Sequence, residues 1–73
     1  MKEINNYQVA IINEDNTIEL YEKSKSEKLY FIAKYDPATK YLIYLDLYSI
    51  NELVDFMKYL DSNKYYIESL IEC

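Results

Sequence analysis

The 73 residues carry 13 acidic side chains against 8 basic ones, all of them lysine, for a net charge of −5, and the chain contains no glycine and no histidine. The missing glycine excludes a phosphate-cradling loop, and the missing histidine removes the commonest general base and the commonest zinc ligand. An acidic chain without arginine is also ill suited to phosphate backbones or to bidentate contacts with guanine.

These features predict one small α+β domain over residues 1–73 that is not an enzyme, has no metal or other cofactor, and makes no direct contact with nucleic acid. A chain of this size buries only about 60% of the surface its unfolded form exposes, so the core is small. The single cysteine, Cys73, allows no disulfide within the chain. No run of residues is long and apolar enough for a membrane span, and Met1 is not followed by a basic and then apolar leader. The expectation is a reducing, cytoplasmic setting with no membrane contact.

In chain order, "YQVAII" (7–12) and "TIELYEK" (17–23) read as strands flanking the turn "NEDN". "KLYFIAKY" (28–35) is a third strand after the polar connection "SKSE". "DPAT" (36–39) places its proline second in a turn, where the fixed φ belongs. "KYLIYLDL" (40–47) is the fourth strand, so the expected fold is a four-stranded antiparallel meander with one main helix packed on one face.

The helix start is read from "SINE" (49–52), a capping box in which Ser49 accepts from the Glu52 amide and Glu52 reaches back. Ile50, Leu53, Val54, Met57 and Leu60 form its apolar stripe, and "DSN" (61–63) its stop. The tail "KYYIESLIE" (64–72) fits either a short second helix or a strand, the helix being preferred.

With every strand connection taken as four residues long, Val9, Ile11, Ile18, Leu20, Phe31, Ala33, Leu42 and Tyr44 share one face, the natural seat of the helix. The other face gathers Tyr21, Tyr30, Ile32, Tyr41, Ile43 and Leu45 into an apolar, tyrosine-rich patch. Three occupants compete for it: the tail folding back, a second copy of the chain, or another protein. Tyrosine suits such a surface because it joins a large apolar ring to a hydroxyl that tolerates water.

The carboxylates offer little chemistry. "NEDN" lacks the spacing, the turn glycine and the terminal glutamate of a calcium loop. No pair is tied to a pocket as acid–base hydrolysis needs. As a field, however, they would suit a basic groove on a partner, with binding that weakens in salt.

A glycine-free, histidine-free, tyrosine-rich acidic chain such as "YLIYLDLYSINELVDFMKYLDSNKYYIESL" resembles small phage-encoded inhibitors of bacterial defence, including anti-CRISPR proteins. It also resembles acidic immunity proteins and antitoxins that neutralise basic nucleases. The resemblance lies in size and composition over the whole chain and in no motif, so it assigns no residue a role. It implies a non-catalytic protein that occludes a nucleic-acid channel or blocks a partner's assembly. The candidate partner-binding residues are Tyr21, Tyr30, Ile32, Tyr41, Ile43 and Leu45 with Glu19 and Glu22. The rival expectation is a small structural homo-oligomer, a virion or scaffold component, that uses the same patch for self-association.

Overall fold

A computed structural model describes all 73 residues. The fold is α+β: a six-stranded mixed sheet with one short helix. The strands are β1 (Lys2–Glu3), β2 (Gln8–Ile12), β3 (Ile18–Lys23), β4 (Leu29–Asp36), β5 (Tyr41–Tyr44) and β6 (Ser69–Glu72), and they lie side by side in sequence order. Pairing is antiparallel from β1 to β5, whereas β6 runs parallel to β5. The expected four-stranded antiparallel sheet is therefore corrected to six strands of mixed direction. Parallel neighbours need a crossover, which is supplied by a 3₁₀ turn (Ile50–Leu53) running into α1 (Val54–Ser62). No helix is long and apolar enough to cross a membrane.

The turns show how the chain manages without glycine. Between β2 and β3 the amide of Asn13 donates to the Thr17 carbonyl and that of Asn16 to the Asn13 carbonyl, each at 2.9 Å, with Asn16 at φ 71°. Asp15 Oδ1 accepts from both the amide and the hydroxyl of Thr17, at 3.0 and 2.6 Å. These bonds, the hydroxyl's first, hold the Asp15 carboxyl below its ordinary pKa. The β3–β4 turn repeats the backbone pattern, Ser24 to Lys28 and Glu27 to Ser24, with Glu27 at φ 63°. Lys40, at φ 65°, closes the proline turn by donating to the Asp36 carbonyl.

The first of these turns corrects the expected register. Thr17 belongs to the connection, so Ile12 rather than Ile11 faces Ile18, and Ala10 rather than Val9 faces Leu20. One added residue turns the whole strand over. A second irregularity lies between β3 and β4, where the pairing steps from Leu20–Ala33 to Tyr21–Phe31. Ile32 is the extra residue, and this β-bulge brings it into the core beside Ala33, both fully buried. The core comprises Ala10, Ile18, Leu20, Ile32, Ala33, Tyr35, Leu42 and Tyr44 from the sheet with Leu53, Phe56 and Leu60 from the crossover. Val9, Ile11 and Phe31, expected on this face, lie on the opposite one.

The helix differs from expectation in two details. Ser49 is extended but its side chain makes no capping bond, because the Glu52 amide already donates to the Ser49 main-chain carbonyl at 3.0 Å. That three-residue bond is the 3₁₀ pattern, and its tighter winding rotates Ile50 off the buried stripe to 47% exposure. Phe56 takes a central place instead, with Met57 and Tyr59 packed at the margin. The C-terminus follows a Schellman pattern: the Tyr65 amide donates to the Leu60 carbonyl and the Lys64 amide to that of Asp61, with Lys64 at φ 63° where glycine usually sits.

The tail is a strand, not the second helix preferred from sequence. Before reaching β6 it lays Tyr65 and Ile67 against the core, and β6 then pairs Leu70 with Leu42 and Ile71 with Ile43. Helix and tail thus occupy the same side of the sheet. No helix or tail covers the other side, although Val9 there is only 4% exposed.

Candidate interaction surface

Cross-strand pairing places the side chains of the open face in rows. One row runs Glu3, Val9, Tyr21, Phe31, and the next runs Ile11, Glu19, Lys34, Ile43, Ile71. A third, at the β5 end, runs Asp36, Tyr41, Ser69. Partners across a pair share a face, and alternation along each strand separates these residues from the core. Tyr41, Ile43 and Ile71 are 40%, 38% and 37% exposed, so the β5–β6 half is the wetter apolar part.

Towards β3 the face is more ordered. The Tyr21 ring meets Phe31 edge-on at 5.8 Å, a favourable aromatic arrangement. The Tyr21 hydroxyl donates to Glu19 Oε1 at 3.3 Å, and Asn13 Nδ2 donates to the same oxygen at 2.9 Å. Glu19 is therefore a positioned carboxylate set among apolar rings. Burial, and then the neighbouring Glu19 charge, pushes the Tyr21 phenol above its ordinary pKa.

Of the eight candidate residues, Glu19, Tyr21, Tyr41 and Ile43 come together on this face. Ile32 does not, because the bulge buries it. Tyr30 and Glu22 pair with each other on the helix side, where Glu22 accepts a long bond from the Tyr48 hydroxyl at 3.4 Å. Leu45 follows β5, half-buried, its amide donating to the Ile32 carbonyl. Sequence reasoning missed Val9, Ile11, Phe31 and Ile71 on this face. Alternation of Tyr65, Ile67 and Ile71 gave no signal for the last of them, because Tyr65 and Ile67 pack on the core side instead.

One open cleft of about 360 Å³ lies at the β1 corner of the face, lined by Met1, Glu3, Val9, Lys23, Glu27 and Leu29. Its acids outnumber its single lysine, and its floor is apolar through Val9. Nowhere do three potential metal ligands gather. Comparison with known protein families, with characterised proteins and with solved structures finds no match for this chain.

Proposed function

We propose that this chain is a non-catalytic, acidic protein-binding module that acts stoichiometrically in the cytoplasm, blocking a nucleic-acid-binding or defence protein through the open face of its sheet. The observation that carries this reading is that helix and tail both lie on one side, leaving Tyr41, Ile43 and Ile71 exposed on the face that also carries half-buried Tyr21 and the fixed carboxylate of Glu19. A sheet face with two apolar halves on either side of the Glu19–Lys34 pair, and with Glu3 and Asp36 towards its margins, suits a partner that combines apolar contact with basic residues. The net charge of −5 adds steering towards such a partner. The size and composition shared with phage-encoded inhibitors and acidic immunity proteins point the same way.

The test is competition. The protein, titrated into nucleic-acid-binding assays of candidate defence nucleases, should abolish binding at a fixed molar ratio. Raising salt from about 0.1 M to 1 M, where the screening length falls from about 10 Å to about 3 Å, should relieve the inhibition. Ile43→Asp or Glu19→Lys should weaken it, while Tyr30→Ala on the opposite side should not. Inhibition unmoved by the face variants would sink the proposal. A self-associating structural protein would instead show a salt-insensitive oligomer that Ile43→Asp dissociates.

A further inference from the structure

The two edges of the sheet are protected very differently. At one edge β1 is two residues long and both, Lys2 and Glu3, are charged. Short, charged edges discourage pairing with another chain. At the other edge β6 reads Ser69, Leu70, Ile71, Glu72, with no lysine and no proline, and Leu70 and Ile71 are 41% and 37% exposed. Nothing in the fold lies beyond it in the strand order.

Backbone polarity fixes what this edge presents. The Cys73 amide donates to the Tyr44 carbonyl and the Cys73 carbonyl accepts from Asp46, so residue 73 turns its polar groups towards β5. Alternation along the strand then directs the N–H and C=O of Leu70 and Glu72 outward. A second β6 can pair antiparallel only in registers that oppose these outward residues. Centring the two-fold on Leu70 sets Glu72 opposite Glu68 twice, and centring it on Glu72 opposes the two Glu72 carboxylates. Like charges directly opposite destabilise a pair. Centring it on Ile71 opposes Leu70 with Glu72, Ile71 with Ile71, and Ser69 with Cys73, with no like charges facing.

We propose that β6 is a self-pairing edge: two copies of this chain join antiparallel about Ile71, each Leu70 exchanging backbone hydrogen bonds with the other copy's Glu72 to make one continuous sheet. Closed two-fold pairing of this kind uses up the edge and stops at the dimer, because only the blunt β1 edges remain. Ile71 is the neighbour of Ile43 on the open face. The dimer therefore joins the two apolar halves across the junction and presents two copies of the proposed binding face on one side. The pairing uses the edge rather than the face, so it stands whether or not that face has a partner.

Light scattering behind a sizing column, with reductant present and from about 1 μM to 1 mM, should show a dimer, and a monomer throughout would overturn the proposal. The register is read by cross-linking. In an antiparallel pair without hydrogen bonds the Cα atoms lie about 4.5 Å apart, within disulfide range. Ile71→Cys in a Cys73→Ser background should therefore oxidise to a covalent dimer about tenfold faster than Leu70→Cys in the same background. Equal rates would overturn the register. Glu72→Pro, which removes an outward amide, and Ile71→Lys, which sets like charges on the two-fold, should each weaken the dimer at least about tenfold, with circular dichroism confirming the fold. A dimer of unchanged strength in either folded variant would overturn the proposal, whereas loss of dimer only in Ile43→Asp would assign self-association to the face.

Discussion

The hydroxyl of Tyr35, buried in the sheet at 1% exposure, donates to the main-chain carbonyl of Tyr66 in the tail, and the Tyr35 ring meets that of Tyr65 edge-on at 5.8 Å. This pair of contacts fastens the segment that leads into β6. Tyr35→Phe keeps the ring contact and removes the bond. It should cost about 1 kcal/mol, with faster amide exchange concentrated in residues 66–72. Uniformly faster exchange across β2–β5 would show that the bond supports the whole core instead.

Four phenols, those of Tyr21, Tyr35, Tyr44 and Tyr48, are pushed above the ordinary value of 10.0, in each case first by burial. Nearby acids add to this, among them Glu72 beside Tyr44 and Glu22 beside Tyr48. A raised pKa means that the folded state holds its proton more tightly than the unfolded state. This contribution is complete below the unfolded value and is lost as pH rises through the folded one. Stability should therefore fall from about pH 10 upward. The urea midpoint should fall progressively above about pH 10. A midpoint that stays level well above about pH 10 would contradict this.

Two isoleucines read alike in sequence and differ in burial, Ile32 at 0% and Ile43 at 38%. Ile32→Asp places an unpaired charge in the core at a cost of about 3–5 kcal/mol, enough to unfold so small a domain. Ile43→Asp should cost about 1 kcal/mol and leave the far-ultraviolet spectrum unchanged. Equal losses would mean that the open face is covered in solution.

The left-handed residues offer a gain. Glu27, Lys40 and Lys64 stand at φ between 63° and 65°, a conformation that costs a residue with a Cβ about 1–2 kcal/mol. Lys64→Gly in the Schellman turn, or Lys40→Gly in the proline turn, should raise the urea midpoint by the equivalent of up to about 1 kcal/mol, after glycine's greater entropy loss. A lowered midpoint would show that the lysine side chain contributes contacts that outweigh the strain.

The positions of β2, β3 and β4 were legible in the sequence to within a residue, because tyrosine, isoleucine and leucine are dense there and the turns are polar, whereas β1 went unread and β5 ends three residues before the expected Leu47. The faces were only partly legible. Ile18, Leu20, Ala33, Leu42 and Tyr44 fell on the core side as expected, because the shifts across the β3–β4 and β4–β5 pairings were even. Val9 and Ile11 did not, because Asn16 can take positive φ and so lengthens the first turn by one residue. No local signal marks the bulge at Ile32, which answers to the packing around Ala33 and Leu20. The tail misled because "YIESLIE" carries both periods, and its choice was made by the free edge of β5, a partner that lies far from it in sequence. Half of the candidate surface was lost: the bulge took Ile32 and Tyr30 to the core side, Glu22 shares the side of Leu20 by plain alternation, and Leu45 lies beyond the end of β5.

The crossover also sets the order in which the molecule can assemble. From β1 to β5 every pairing joins strands linked by a short turn, and such local contacts close quickly. β6 alone must wait for the 3₁₀ turn and α1 to form and to swing the chain back over the sheet. Until it arrives, β5 is itself an open edge with Tyr41 and Ile43 on one side and Leu42 and Tyr44 on the other. The interval between closure of the meander and docking of β6 is when the chain is most exposed to aggregation. In stopped-flow refolding, aggregation losses should therefore follow the lifetime of that interval, growing in variants that delay β6 and shrinking in those that stabilise the Lys64 turn.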